Sequence, residues 1–146
     1  MQDSLTINKK DLYITRAVVP GDVNFIMATF LRGLYYGDSW FREIPKDIFM
    51  ENYHAILERI LSNPRTIIAV ACLKEDQDVI LGYSVYCNTF TGVNLHWVFV
   101  KNAWRGIGIG KSLVPSSTNV VTHLTKSGLG IIKKHKEIVF NPFAVN

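Results

Sequence analysis

The run Arg105-Gly106-Ile107-Gly108-Ile109-Gly110-Lys111-Ser112 has the composition of a phosphate cradle. Glycines let backbone N–H groups approach an anion with no Cβ in the way, and a helix opening behind them adds positive potential. Three patterns compete for the run. The P-loop, G-x-x-x-x-G-K-[ST], finds its end in Gly110-Lys111-Ser112 but meets Arg105 where its first glycine belongs. The dinucleotide pattern G-x-G-x-x-G fails in both registers, because its third glycine falls on Lys111 or on Leu113. The third pattern, R/Q-x-x-G-x-G/A, is met by Arg105, Gly108 and Gly110.

An imidazole stands on the segment leading into this loop. In "NLHWVFV", Leu95, Trp97 and Phe99 alternate with His96, Val98 and Val100, which predicts a strand with two distinct faces. A histidine among valines needs a polar partner, either a reacting group or a buried backbone carbonyl. Further upstream, "YYGDSWFREIP" gathers Tyr35, Tyr36, Trp40 and Phe41 with Asp38 and Glu43. Aromatics beside carboxylates suit a cationic or planar ligand, and they equally suit two packed helices.

The elements that position these residues follow from periodicity. "DLYITRAVV" is β-branched and strand-like, and Pro20-Gly21-Asp22 breaks it. Val23, Ile26, Met27, Phe30, Leu31 and Leu34 recur at helical spacing and predict a helix ending near Gly37. "GDSWFREIP" reads as a loop. Pro45 opens a second helix with Ile48, Phe49, Asn52, Ile56 and Ile60 as its stripe and Tyr53 and Leu57 beside it. "RTIIAVACL" is a continuous apolar run, the pattern of a strand buried on both faces. "VILGYSVYCN" returns as a hairpin partner, and "GVNLHWVFV" follows. A short helix after the glycines stops at Pro115. "TNVVTHLT" is β-rich, "KSGLGIIKKHKE" weakly helical, and "IVFNPFAV" a last strand. The order β-α-α-β-β-β-α-β-α-β makes one mixed domain, α/β in the α+β sense, over residues 1–146.

The 146 residues can bury a core without covalent staples, and 48% hydrophobic with 19% charged residues is a globular balance. Two cysteines, Cys72 and Cys87, sit in apolar strand runs and read as reduced core thiols. No C-x-x-C spacing occurs and the four histidines are scattered, so no metal is expected. No apolar run approaches a membrane span, and "MQDSLTINKKDLY" lacks the core of a leader, so a cytoplasmic protein without membrane contact is the expectation. The net charge of +4 is mild. Lys126, Lys133, Lys134 and Lys136 could face a polyanion, but they read first as a solvated helix face, so nucleic acid is neither required nor shut out.

The loop and its approach together resemble the acetyl-CoA-binding segment of the GNAT acetyltransferase superfamily, which often reads L-x-V-x-P-x-x-R-G-x-G-I-G. Val98, Val100, Arg105, Gly106, Gly108, Ile109 and Gly110 match, with Asn102 at the common proline. "YITRAVVPGDVNFI" is similar to the family's opening strand and first helix, and the element order agrees from about Leu12 onward. Small GNAT-like proteins of this trim also occur in bacteriophage genomes.

The resemblance implies a mixed, mostly antiparallel central sheet, splayed between its fourth and fifth strands and flanked by about four helices. It implies acetyl-CoA as co-substrate. Pantetheine would meet the backbone of Val98, Phe99 and Val100, with the phosphates on Arg105, Gly106, Ile107, Gly108, Ile109, Gly110 and Lys111. His123 or Thr125 would touch the pantetheine from the partner strand. A strand N–H would polarise the thioester carbonyl. His96 stands where the family often places a base, with Glu43 and Asp38 as secondary candidates, and an ordinary imidazole would make the rate rise through about pH 6.5–7.5. The family's thiolate-protonating tyrosine is replaced by Lys133, and Glu137 stands at a usual glycine. The implied reaction is acetyl transfer to a small-molecule or protein amine by direct attack in a ternary complex, and a homodimer is compatible. The missing tyrosine and the terminal lysines keep a second reading open: a non-catalytic CoA-binding or nucleic-acid-associated module.

Overall fold

The computed structural model describes residues 8–124 and 132–145. Six strands form one sheet in the order β1-β2-β3-β4-β5-β6: β1 Tyr13–Ala17, β2 Thr66–Leu73, β3 Ile80–Asn88, β4 Val93–Val100, β5 Thr118–Val121 and β6 Val139–Phe140. The first three pairings are antiparallel and the last two parallel. The helices are α1 Val23–Gly37, α2 Ser39–Arg42, α3 Lys46–Ser62 and α4 Ile109–Leu113, with a further helical turn at 132–134. The expected mixed, mostly antiparallel sheet is present.

The apolar stripe of α1 seats it on the sheet. Ile26, Phe30, Leu31 and Leu34 are buried against Val70, Tyr83, Val85 and Trp97, and α3 adds Phe49, Leu57 and Ile60. Each such side chain stabilises the fold by about 1.5–3 kcal/mol. Ile48 and Asn52 are exposed, so the buried stripe of α3 is narrower than its spacing predicts. Ile109 and Leu113 of α4 cover Ala71 and Leu81 on the opposite face. Both faces of the central strands are therefore covered, although β2 is fully buried only at Val70, Ala71 and Cys72. Cys72 and Cys87 are buried and free.

Two details depart from the sequence reading. The segment after Gly37 is not all loop: Asp38 accepts from the Trp40 N–H at 2.8 Å and starts the short helix α2. The expected last strand is only two residues long. The first half of the weakly helical stretch at 126–137, residues 126–131, and Thr125 lie outside the described residues.

Candidate functional site

The sheet opens between β4 and β5. Pairing runs only from Val93 to Leu95 on β4, and its last bond is Thr122 N–H to Leu95 O at 3.1 Å. From His96 onward β4 has no paired strand on that side among the described residues. A bulge in the β3 pairing sets which groups face the opening. Val85 pairs Trp97 while Tyr86 pairs Leu95, so His96 is the extra residue. The simple alternation expected for "NLHWVFV" is broken there, and Leu95, His96 and Trp97 are all buried. Beyond the bulge, Lys101 N–H donates to Leu81 O at 2.7 Å, turning that residue toward β3. Alternation then directs the backbone groups of Val98 and Val100 into the opening. Phe99 turns its N–H and C=O toward β3, and its ring packs on Phe25 and Tyr83.

A cleft of about 720 Å³ follows the opening. Its floor is the β4 edge, and one end is the glycine loop, with Arg105, Gly106, Gly108, Gly110 and Lys111 on its wall. Gly106 and Gly108 hold φ of +83° and +95°, a region that side chains disfavour. Nothing lies within 4 Å of where a Cβ would stand on either, so the loop backbone faces open space. Arg105 Nε donates to Val100 O at 3.0 Å and ties the loop to the strand edge. The other end is lined by Tyr36, Gly37 and Arg42. Trp97 closes the side toward α1, stacked on Phe30 with ring centroids 4.6 Å apart.

A line of polar side chains runs inward from the cleft wall at His96 to Tyr53 on α3. His96 Nδ1 is 2.8 Å from Thr122 Oγ1, which is 2.9 Å from His123 Nδ1. His123 Nε2 is 3.0 Å from the Tyr53 hydroxyl. Burial pushes both imidazoles down to about 4, since an imidazolium there loses its hydration. Desolvation raises the Tyr53 phenol. All of these groups rest neutral at pH 7, and a His96 held at about 4 is at odds with the expected rise through pH 6.5–7.5. His123 also lines a second cavity of about 630 Å³ with Asp38, Trp40, Phe49, Tyr53 and Phe140.

Solved structures share this architecture. A Pyrococcus furiosus protein assigned as an acetyl transferase superposes with a TM-score of 0.58 at 16% identity, over 88% of this chain and 80% of its own. A Staphylococcus aureus protein assigned to the GNAT acetyltransferases gives 0.50 at 13% identity, over 68% of this chain and 82% of its own. This chain has the GNAT fold. No family model matches the sequence, and no curated protein matches it.

The GNAT cleft gathers most of the residues singled out from the sequence. His96, Val98, Phe99, Val100, Arg105, Gly106, Gly108, Gly110, Lys111 and His123 all line it. Ile107 and Ile109 do not. Their side chains pack with Leu81 and Leu113 beneath the loop, so only their backbones are available to a ligand. Glu43 ends α2, is exposed and lines neither cavity, and Asp38 lines only the second cavity. Lys133 is exposed and off the cleft wall. Sequence reading missed Thr122 and Tyr53. Neither belongs to a motif, and Tyr53 is 70 residues from the histidine it meets. Among the described residues no cluster of three or more His, Cys, Asp or Glu could hold a metal, and no helix is long and apolar enough to cross a membrane.

Proposed function

We propose that the chain is an N-acyltransferase that moves an acetyl group from acetyl-CoA to a primary amine by direct attack in a ternary complex. The observation that carries this reading is the unpaired edge of β4 running into an arginine-tethered glycine loop. That edge offers the backbone groups of Val98 and Val100, and the loop offers backbone with no side chain in the way. These features fit an extended amide-bearing chain with phosphates at one end. Acetyl-CoA supplies the activated thioester.

The chain's own residues then divide the work. Arg105, Lys111 and the backbone at Gly106, Gly108 and Gly110 hold the phosphates. Val98 and Val100 hold the pantetheine arm, and an N–H of this edge steadies the developing oxyanion, a role worth about 10²–10³ in rate for a single donor. His96 takes a proton from the amine as it attacks. Its Nε2 has no hydrogen-bond partner among the described residues, and its Nδ1 is held by Thr122. Glu43 lies off the cleft and is left out of this scheme. The acceptor enters at the end lined by Tyr36, Gly37 and Arg42, and its amine sits on a small molecule or a protein.

Thiol release from acetyl-CoA, followed with a panel of primary amines headed by benzylamine, tests the proposal. Amine-dependent release with a matching N-acetyl product is expected. Tight CoA binding with no transfer to any amine would instead favour a non-catalytic CoA-binding module. One observation favours that second reading: Lys133, at the position where the family often has its proton-donating tyrosine, is exposed. Binding to DNA that weakens steeply with salt would extend that reading to nucleic acid.

A further inference from the structure

The line His96–Thr122–His123–Tyr53 begins on the wall of the cleft and ends on the wall of the second cavity. The acyl-transfer scheme above uses Thr122 only to hold His96 and gives no role to His123 or Tyr53. Three separate elements supply it: β4, the segment following β5, and α3. We propose that these four side chains relay protons between the cleft and the second cavity, carrying the amine proton out and returning one to the leaving thiolate. The proposal rests on the acyltransfer reading.

The valence of Thr122 makes the line directional. Its hydroxyl has one proton and two imidazole Nδ1 neighbours, so it donates to one and accepts from the other. The two rings must therefore hold opposite tautomers. In the outward arrangement His96 carries its proton on Nδ1 and turns a bare Nε2 to the cleft. Thr122 donates to His123 Nδ1, and His123 Nε2–H donates to Tyr53. When His96 Nε2 takes the amine proton, its Nδ1 proton passes to Thr122 Oγ1. The hydroxyl proton passes to His123 Nδ1, the His123 Nε2 proton to Tyr53, and the phenol proton into the cavity. Every member gains one proton and loses one, so none is left charged.

The line now stands in the reverse arrangement, with His96 holding Nε2–H toward the cleft. Protonation of the thiolate from Nε2 runs the same steps backward, with one proton re-entering at Tyr53. One proton has left the amine, one has reached the sulfur, and the line is reset. Two independent features call for such a device. The buried site disfavours an imidazolium, so a lone His96 could not hold the amine proton while the thioester breaks. At the position where the family often has its thiolate-protonating tyrosine stands Lys133, which is exposed and off the cleft wall. The second cavity opens outward, with Trp40 and Ile48 on its lining 66% and 50% exposed. Other groups that titrate or carry charge on the two walls are Tyr36, Arg42, Arg105 and Lys111 in the cleft and Asp38 in the cavity.

Two measurements on the intact chain test the relay. The first needs no acceptor: nitrogen-15 NMR of the imidazoles should find one ring as the Nδ1–H tautomer and the other as Nε2–H, and the same tautomer in both rings would overturn the proposal. The second is kinetic. Thr122→Val and Tyr53→Phe should each lower kcat about tenfold or more with CoA affinity unchanged, while Thr122→Ser keeps the rate. The rate in mixed light and heavy water should depend on several protons in the wild type and on fewer in Thr122→Val and Tyr53→Phe. Wild-type kcat and isotope dependence in both Thr122→Val and Tyr53→Phe, with transfer intact, would overturn the relay alone. Absence of acetyl-CoA binding by the wild type would overturn the acyltransfer reading and the relay with it.

Discussion

At the scale of single residues, His96 and Gly108 carry the sharpest consequences. His96 is 3% exposed and pushed down to about 4, so it stays in its base form across the working range. Once the amine's own ionisation is allowed for, kcat should be flat from about pH 6 to 8. An inflection in that range removed by His96→Ala would contradict the burial argument. The same variant should lower kcat by about 10²-fold or more with CoA affinity nearly unchanged. Loss of melting temperature with normal turnover per folded molecule would make His96 a packing residue. Gly108 is a different case. Its φ of +95° is strained for any side chain, and its missing Cβ leaves the loop backbone bare. Gly108→Val should weaken CoA binding at least about tenfold, or 1.4 kcal/mol, measured on the folded fraction.

At the scale of elements, β1 and the entry to α1 are locked by an ion pair between half-buried Arg16 and buried Asp22. Arg16 holds Asp22 through two bonds of 2.7 and 3.0 Å, and the Val19 N–H donates to the same carboxylate. The Arg16 guanidinium, with that N–H, keeps the Asp22 carboxyl below its usual range despite burial. Asp22→Ala should cost about 1.5–3 kcal/mol in chemical denaturation, because it leaves Arg16 and the Val19 N–H without their partner. Gly82 is a second constraint: an added Cβ would stand 2.5 Å from Phe99 O, a backbone atom that cannot swing aside. Gly82→Ala should therefore separate β3 from β4 and open the cleft floor, seen as lost stability together with lost CoA binding.

These elements also show what the sequence could and could not disclose. The glycine loop, the strand before it and the stripe of α1 were legible because each is a local pattern. The bulge at His96 was not, since it depends on how β3 and β4 register across the sheet. The relay was hidden for the same reason. Thr122 and His123 read as the tail of a β-rich run, and their orientation depends on β5 leaving β4 after Leu95. The helix α2 was concealed among aromatics that look like loop, although Asp38 two residues before Trp40 was a usable capping signal.

At the scale of the whole molecule, two neutral histidines buried between sheet and helices tie stability to pH. Both fold with pKa values of about 4, against about 6.5 in an unfolded chain. Between those values the unfolded state binds more protons, so stability is complete above about pH 6.5 and falls as pH drops toward 4. Melting temperature should decline across that window, and replacing His123 with Gln should flatten part of the decline. A melting temperature independent of pH from 7 to 4.5 would mean that these imidazoles are not buried as described.

The central claim is that the opening beside β4 holds a CoA thioester. Calorimetric titration with acetyl-CoA tests it most directly. Saturable binding of one ligand per chain is predicted, and Gly108→Val should weaken it at least about tenfold. No saturable binding at millimolar acetyl-CoA, or equal binding by wild type and Gly108→Val, would contradict it.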